Sequence, residues 1–325
     1  MTDLRQLVDD TYAEGFRSIY GEILLTARDE KWLRHCVNAV TGHSSSTILC
    51  DCESGVAQWI GLGTGLGTGL DSPHNHATLP LQTPDGRVGA VVQFHVPRFR
   101  KDRREHLEKV MLARISQNAL TCPTIRCFNR LETDDYFKLG RKIAFFGDRH
   151  QFRDTRFAEP GWVVPTLGGD FFLSRRFGFQ DGVMGGNLWF FGANEDAAIE
   201  AAEKAAIAAE ATPDTILPFP GGVAASGSKA GSSYKFLIAS TYAEYCPTLK
   251  AKLGSVSKVP DGVVSIQEII INGRDQNSLN IATAAAIRAA ADTPNLLRIS
   301  AGNYGGRLGK TFVHLHEVLG LRSKT

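Results

Sequence analysis

The sequence lacks an excess of charge of either sign, because its 36 Lys and Arg residues are nearly balanced by 34 Asp and Glu residues. Nucleic-acid-binding proteins usually carry a strong basic excess, so this balance argues against a nucleic-acid partner. No apolar run reaches the roughly 18 residues of a transmembrane helix. The first twenty residues carry charges throughout, unlike a secretory signal. We therefore expect a cytoplasmic protein with no membrane or nucleic-acid partner.

Metal-ligand spacing is also missing from the sequence. Cys50 and Cys52 have no second cysteine pair at the spacing of a zinc site. Two H-x-H pairs offer only two candidate ligands each: His74 with His76, and His314 with His316. Two ligands are too few for a protein metal site, so we predict no metal. In the cytoplasm the six cysteines are expected to stay reduced.

The chain does contain enough apolar residues for two domains and an internal repeat that divides it. Hydrophobic residues make up 43% of its 325 positions. Both Ile23–Val56 and Leu188–Val223 run from an apolar strand through a turn and an amphipathic helix to a Thr-Ile-Leu segment. Thr47-Ile48-Leu49 aligns with Thr215-Ile216-Leu217 in this comparison. Each segment therefore predicts one strand–helix–strand unit.

A second matched pair follows at nearly the same offset. The strand containing Val91–Phe94 leads into a helix over 102–118, and the strand containing Ser265–Glu268 leads into a helix over 277–291. Two such units per half give the β-α-β-β-α-β pattern of a ferredoxin-like fold. We predict an α+β protein of two tandem ferredoxin-like α/β-sandwich lobes from an internal duplication, residues 1–165 and 166–325. The alternative is chance self-similarity, which any α/β chain shows in part.

One glycine-rich segment is unlike the rest of the chain. Gly61–Leu70 reads GLGTGLGTGL, with glycine at every second position from 61 to 69. A phosphate-binding fingerprint needs G-x-G-x-x-G between a strand and a helix, and neither the spacing nor a following helix is present. We interpret the segment as a flexible loop.

Glu268 is the most unusual residue in the pattern. Strand alternation places it on one face with Ile266 and Ile270. A carboxylate among apolar neighbours must be paired, or it becomes protonated with a raised pKa. A carboxyl group with a raised pKa suits acid/base chemistry near neutral pH. The alternative is a structural ion pair with a Lys or Arg of the other lobe, and the pattern alone favours neither.

Two small-residue segments are candidates for binding an anion or an oxyanion. Pro218–Ser233 exposes backbone N–H groups and adds the hydroxyls of Ser226 and Ser228 and the cation of Lys229. Ser300–Lys310 contains four glycines together with Asn303. For both segments the alternative is a tight turn without a binding role.

Cys246 is a candidate nucleophile in the segment Tyr245-Cys246-Pro247-Thr248. A nucleophilic cysteine needs a base to activate it, and no histidine is close to it in the sequence. The alternative is a packing role, which is usual for a free cysteine.

The motifs together resemble those of a known family. The matching segments run in order along nearly the whole chain: Thr26-Ala27, Lys31-Trp32, Thr83-Pro84-Asp85-Gly86-Arg87, Phe145-Phe146-Gly147-Asp148, Gly185-Gly186-Asn187, PFPGG from Pro218, Ser228-Lys229, Ala239-Ser240-Thr241, Tyr245-Cys246-Pro247-Thr248, Glu268-Ile269 with Ile271-Asn272-Gly273, and ISAGNYGG from Ile299. With these segments the chain resembles the formylmethanofuran:tetrahydromethanopterin formyltransferase family. Within that family it looks most similar to the D subunit of the bacterial formyltransferase/hydrolase complex.

This resemblance implies both a reaction and a set of partners. The reaction is reversible formyl transfer between the amine of a methanofuran-type coenzyme and N5 of tetrahydromethanopterin, as part of the oxidation of formaldehyde to formate. Both coenzymes are substrates, and the resemblance implies no bound metal or prosthetic group. It implies a dimer or tetramer that joins the hydrolase subunits A, B and C. The alternative is a non-catalytic scaffold or coenzyme-binding subunit of such a complex.

The resemblance also assigns roles to residues and names to the lobes. The family's catalytic glutamate falls on Glu268. The implied substrate-binding residues are Ser226, Ser228, Lys229, Ser240, Thr241, Tyr245, Cys246, Asn272 and Asn303. The prediction names residues 1–165 the proximal lobe and residues 166–325 the distal lobe.

Overall fold

The computed structural model describes residues 3–61 and 83–321. The strands are β1 Tyr12–Ala27, β2 Glu53–Ile60, β3 Val88–Pro97, β4 Arg126–Asn129, β5 Tyr136–Phe137, β6 Phe152–Asp154, β7 Gly161–Thr166, β8 Gly169–Ser174, β9 Phe177–Gly192, β10 Thr215–Ile216, β11 Val223–Ala224, β12 Lys229–Ala230, β13 Ala239–Ser240, β14 Ser265–Gly273, β15 Leu296–Ser300 and β16 Thr311–His314. The α-helices are α1 Leu4–Leu7, α2 Glu30–Thr41, α3 Arg103–Arg114, α4 Leu139–Ala144, α5 Glu195–Glu210, α6 Lys250–Leu253, α7 Gln276–Ala290 and α8 Leu315–Val318. Apart from Gly61, the predicted glycine-rich loop lies outside the described residues, as do His74 and His76.

Both halves of the chain form the predicted ferredoxin-like arrangement. In the N-terminal lobe the elements run β1-α2-β2-β3-α3-β4, and the strands lie in the order β2-β3-β1-β4. In the C-terminal lobe they run β9-α5-β10-β14-α7-β15, and the strands lie in the order β10-β14-β9-β15. The element order and the strand order are thus the same in both lobes. The predicted fold class is confirmed, and the shared topology supports duplication.

Two long strands join the lobes into one sheet. Strands β1 and β9 have 16 residues each and pair antiparallel, with Phe16 opposite Met184 and Gly21 opposite Phe179. The start of β1 pairs with β16 near the end of the chain, with Gly15 opposite Thr311. The first residues of β1, Tyr12–Gly15, therefore belong to the C-terminal lobe. Its later residues form a central strand of the N-terminal lobe.

The local helix signals explain where α5 begins and how it packs. The side chain of Asn194 accepts a hydrogen bond from the backbone N–H of Ala197, so Asn194 is the N-cap of α5. Seven alanines of α5 are buried, and they allow α5 to pack closely on α7 and on the sheet. Gly42 is the C-cap of α2. Each lobe has its own apolar core between its helices and its part of the sheet.

One of the two repeat alignments is wrong. Thr47–Leu49 forms a turn in which Leu49 is largely exposed, and the strand that follows begins only at Glu53. The shared Thr-Ile-Leu letters therefore do not mark equivalent strands. The second alignment holds, because Val91–Phe94 and Ser265–Glu268 lie in β3 and β14, the third strands of their lobes.

The predicted lobe boundary at residue 165 falls inside strand β7. That strand forms a hairpin with β8, and Leu173 of β8 pairs with Cys127 of β4 in the N-terminal lobe. Strand pairing therefore joins β7 and β8 to the sheet of the N-terminal lobe, and the boundary at residue 165 stays a prediction.

Candidate active site

Glu268 lies at the centre of the C-terminal lobe's strands. On β14 it pairs with Trp189 of β9 on one side and with Ala224 of β11 on the other. Its neighbours Ile269 and Ile271 point into the helix-covered core. Because side chains alternate along a strand, Glu268 faces the opposite side of the sheet. The long connection between β10 and β14 covers that side, and only 2% of Glu268 is exposed.

The two carboxylate oxygens of Glu268 have different surroundings. Oε1 accepts hydrogen bonds from Ser228 Oγ at 2.7 Å, from Asn187 Nδ2 at 2.8 Å and from Trp189 Nε1 at 2.9 Å. Oε2 is buried and has no hydrogen-bond partner among the described residues. A buried polar atom without a partner is rare in proteins and calls for an explanation.

Burial raises the pKa of the Glu268 carboxyl above its ordinary value, although the hydrogen bonds from Ser228, Trp189 and Asn187 oppose the shift. All three donors are neutral, and within the described part of the chain no ion pair includes Glu268. The alternative of a structural ion pair is therefore wrong. The expectation of a raised pKa is confirmed.

A loop after β15 supports two of these three donors. The hydroxyl of Tyr304 donates to the backbone carbonyl of Ser228, and the backbone N–H of Gly302 donates to Asn187 Oδ1 at 3.1 Å. A Cβ atom on Gly302 would lie 2.7 Å from both Asn187 Nδ2 and Trp189 Cζ2. Glycine is therefore required where this loop passes the site.

Aromatic rings surround the donors. The Trp189 ring lies 4.8 Å from the Tyr245 ring and 5.1 Å from the Tyr242 ring, and Tyr242 lies 6.0 Å from Tyr304. Of the three donors to Glu268, Asn187 and Trp189 are buried and Ser228 is half-buried. On the outer side of Tyr304 lies a cavity of about 400 Å³, lined by Ala230, Gly231, Tyr304, Arg307 and Leu308.

Of the residues proposed to bind substrate, Ser228 touches Glu268 and Tyr245 packs beside it through Trp189. Cys246 follows Tyr245, and its thiol donates to the Tyr242 carbonyl at 3.3 Å. Ser226 is exposed and bonds only locally, to the carbonyl of Gly227.

Three more of them lie on the hairpin of β12 and β13. Lys229 pairs with Ser240, whose hydroxyl donates to the Gly231 carbonyl at 2.8 Å. Thr241 follows and is exposed. These residues make no hydrogen bond to the carboxyl group of Glu268, and their substrate role stays a prediction.

The two asparagines of the prediction lie elsewhere. Asn272 is fully buried, donates to Glu53 Oε2 at 2.7 Å and accepts from the Gly185 N–H at 2.9 Å. In this structure its side chain joins the two lobes, and its substrate role stays a prediction. Asn303 is exposed and donates to Thr11 Oγ1 at 2.9 Å.

The backbone N–H groups of the segment around Asn303 are largely in use. Glu14 accepts hydrogen bonds from the N–H groups of Tyr304, Gly306 and Leu308. These three donors are therefore not available to an oxyanion, contrary to the expectation of open backbone access. A turn shaped by an internal carboxylate is the better description of this part of Ser300–Lys310.

Sequence reasoning missed Asn187, Trp189 and Tyr304. A signal for the first two existed, because the predicted lobe pattern makes the first and third strands neighbours. Residues near Leu188 therefore had to lie beside Glu268. Tyr304 had no such signal, since nothing local links its hydroxyl to residue 228.

The described residues contain no group of three His, Cys, Asp or Glu side chains placed to hold a metal ion. None of the helices found between residues 3 and 321, outside the gap at 62–82, is long and apolar enough to span a membrane.

Fold and site together define a duplicated, two-lobe α+β protein built around one buried acid that neutral donors hold. The family model described as formylmethanofuran-tetrahydromethanopterin formyltransferase matches residues 5–66 and 61–166, and the model described as "FTR, proximal lobe" matches residues 169–318. The chain belongs to this formyltransferase family, as the sequence predicted. The word proximal falls on the C-terminal half, the reverse of the lobe names in the prediction.

Curated relatives match over almost their whole length. The chain is 38% identical over 313 residues to the formylmethanofuran--tetrahydromethanopterin formyltransferase of Methanosarcina acetivorans, covering 96% of this chain and 97% of the relative. It is 36% identical over 316 residues to the protein of the same description from Methanocaldococcus jannaschii, with the same coverage.

Two solved structures have the same fold. The formylmethanofuran:tetrahydromethanopterin formyltransferase of Methanosarcina barkeri superposes with a TM-score of 0.87 at 36% identity, covering 98% of this chain and all of that one. A chain of the formyltransferase/hydrolase complex of Methylorubrum extorquens, solved with methylofuran, gives a TM-score of 0.85 at 32% identity and covers 98% of both chains.

Proposed function

We propose that this chain transfers a formyl group reversibly between the amine of a methanofuran-type coenzyme and N5 of tetrahydromethanopterin. Family membership supports the reaction class. The single observation that carries the proposal is the buried Glu268 carboxyl, with one oxygen held by three donors and the other without a partner.

The two oxygens have different parts in the proton transfer. Three donors saturate Oε1, so the proton of the neutral acid belongs on Oε2. Formyl transfer between amines is acyl transfer through a tetrahedral intermediate, in which the new C–N bond forms before the old one breaks. The attacking nitrogen must lose a proton and the leaving nitrogen must gain one. Glu268 gives its Oε2 proton to the leaving nitrogen, and the resulting carboxylate takes the proton of the attacking nitrogen.

The donors on Oε1 make this exchange feasible in a buried place. While Glu268 is ionised, Ser228, Asn187 and Trp189 hold the negative charge on Oε1. The backbone N–H groups over Ala225–Ser228 are the proposed contacts of the formyl oxygen. The amide of Asn303 donates to Thr11 in this structure, so it could contact the formyl oxygen only after giving up that hydrogen bond. Donors of this kind are typically worth about 10²–10³ in rate each.

The remaining residues are proposed to hold the coenzymes along the approach to Glu268. Lys229 and Ser240 lie on the hairpin of β12 and β13, with Ser226 before it and Thr241 after it. Tyr245 belongs to the aromatic wall, the group of rings formed by Trp189, Tyr242, Tyr245 and Tyr304, and Cys246 follows it. This assignment rests on their closeness in the chain and in strand pairing to Ser228, which contacts Glu268, and to Ala230 and Gly231, which line the cavity beside Tyr304.

The assembly is proposed from the same likeness. The Methylorubrum structure is titled a formyltransferase/hydrolase complex with methylofuran. We propose that this chain joins hydrolase subunits A, B and C, which release formate in the cytoplasm, and that it associates with itself as a dimer or tetramer. Sedimentation of the chain alone and with those subunits tests both statements.

The test of the reaction is formyl exchange by the purified chain with formyl-tetrahydromethanopterin and a methanofuran-type amine. We expect Glu268→Gln to lower kcat by about 10²–10⁴, the usual contribution of a general acid or base. The matched control is Glu22→Gln, which changes another buried strand glutamate, bonded to Gln93 in the N-terminal lobe, and should keep its activity.

The outcomes separate the alternatives. Turnover only after addition of the hydrolase subunits would make the complex the active form. No turnover from the folded chain under either condition would favour the non-catalytic scaffold. Normal turnover in Glu268→Gln would refute the acid/base role. Loss of turnover in Cys246→Ala with folding intact would instead point to a formyl-thioester on that cysteine.

A further inference from the structure

Glu14 is a buried carboxylate that serves only the backbone of a distant segment. It lies on β1 and is 1% exposed. One oxygen accepts from the N–H groups of Tyr304 and Gly306, the latter at 2.8 Å, and the other accepts from Leu308 at 3.1 Å. Across the described ranges, no ion pair joins Glu14 to a cation. Its hydrogen bonds therefore hold the backbone of the 302–309 turn in one conformation.

That turn has little intrinsic reason to hold one conformation. It contains four glycines, and Gly305 and Gly306 adopt positive φ angles of 67° and 73°. Glycine loses more conformational entropy on ordering than any other residue, so a fixed turn needs compensating interactions. Three charge-assisted hydrogen bonds to one carboxylate supply them.

The turn acts on the two donors of Glu268 that are not part of the aromatic wall. Tyr304 is the first residue that Glu14 holds, and its hydroxyl donates to the carbonyl of Ser228. Ser228 in turn donates to Glu268. A displacement of the turn therefore moves a donor on the reacting carboxyl group.

We propose that Glu14 is a positioning residue for formyl transfer, acting through the Tyr304 hydroxyl on the hydrogen bond between Ser228 and Glu268. The inference rests on the proposed function and extends it to the opposite end of the chain. Glu14 is part of the N-terminal strand, whereas every other residue of this path lies beyond position 225.

The variant Glu14→Gln tests the role with little change in volume. Glutamine keeps one acceptor oxygen and replaces the other with an NH₂ group. In one orientation of the amide this NH₂ group faces the N–H groups of Tyr304 and Gly306, and in the other it faces the N–H of Leu308. Two donors then face each other, and the turn must shift. We expect kcat to fall about 10–100-fold, because displacements of about 1 Å at a reacting group can cost up to 10²-fold. KM should change less than the rate does.

The matched control is again Glu22→Gln, on the same strand and buried to a similar degree. It should keep its kcat, whatever its effect on thermal stability, because Glu22 bonds to Gln93 and makes no contact with the 302–309 turn. If both variants have the wild-type kcat, or if kcat follows stability equally in both, the positioning role is refuted.

A second variant isolates the path and does not depend on Glu14→Gln folding. Tyr304→Phe removes only the hydroxyl, which donates to the Ser228 carbonyl and also hydrogen-bonds to Tyr242, and we expect it to lower kcat with KM little changed. In the double variant the Glu14→Gln change should then cost much less than in the wild type, since interacting residues are not additive. Full additivity, or an unaffected Tyr304→Phe, overturns the proposal. Absence of wild-type turnover in the same assay would instead refute the proposed function.

Discussion

Glu268 shows how far a single residue's neighbourhood is readable from sequence. Its burial follows from strand alternation between Ile266 and Ile270, and its raised pKa follows from that burial. Its hydrogen-bond partners were harder to predict from the sequence, because the bonded atoms come from β9, β14 and the segment after β11. Ser228 was a candidate only because small residues surround it. The predicted neighbouring of the first and third strands places residues near Leu188 beside Glu268, but it does not show which of their side chains donates to the carboxyl group.

The pKa of Glu268 leads to a prediction about stability. The unfolded chain releases this proton near the ordinary value of 4.5, whereas the folded protein keeps it to higher pH. Between those two values the unfolded state binds fewer protons, so the free energy of unfolding falls as the pH rises. The contribution is complete below pH 4.5 and is lost through the folded-state pKa.

Glu268→Gln mimics the neutral acid and carries no titrating proton. We therefore expect the difference in unfolding free energy, wild type minus variant, to become more negative from pH 4.5 upward. Urea denaturation at a series of pH values measures it. Burial also raises the pKa of Glu22 and of Glu53, but both contribute equally to the two proteins and cancel. A difference that does not vary with pH would contradict the raised pKa.

At the scale of elements, the order of strands and helices in the repeat was predicted correctly, and one of its two residue alignments was wrong. The cap at Asn194 and the third strands β3 and β14 follow from local chemistry and from the alternation of side chains. Thr47–Leu49 resembles a strand in composition, yet it remains a turn with Leu49 exposed. A short apolar segment becomes a strand only when a neighbouring strand pairs with it. The sequence does not show which strands are adjacent, so it could not show that Thr47–Leu49 stays outside the sheet.

Gly302 gives a prediction for the segment after β15. Its added Cβ would lie 2.7 Å from Asn187 Nδ2 and from Trp189 Cζ2. We expect Gly302→Ala to destabilise the fold by about 1–3 kcal/mol, the usual cost of overpacking, and to lower kcat because Asn187 must move from Glu268. The control is Gly168→Ala in the hairpin of β7 and β8, where no atom lies within 4 Å of the added group. Equal stabilities in denaturant would show that the segment adapts without strain.

At the scale of the whole molecule, the lobes share a buried polar contact as well as a sheet. Glu53 of β2 is 7% exposed and accepts from Asn272 of β14. The sequence predicted two similar lobes but gave no information on their joining, because residues 53 and 272 are far apart in the chain and neither belongs to a local pattern.

Removing the amide tests this contact. Asn272→Ala leaves a Glu53 oxygen and the Gly185 N–H without their partner, and we expect a loss of about 1–3 kcal/mol in unfolding free energy, the cost of unsatisfied buried groups. Asn118→Ala is the control, since its amide bonds a single backbone carbonyl at the surface of the N-terminal lobe. Thermal denaturation of both variants measures the difference, and equal melting temperatures would remove the contact from the account of lobe joining.

The pairing of β1 with β16 joins strands from opposite ends of the described chain. Tyr12–Gly15 and their antiparallel neighbours Thr311–His314 are separated in sequence by almost all of the residues of the two lobes. Contacts so distant in sequence slow folding, because a long intervening loop must be closed before they form. Until β16 docks, the start of β1 has an unpaired edge that is open to strands of other molecules.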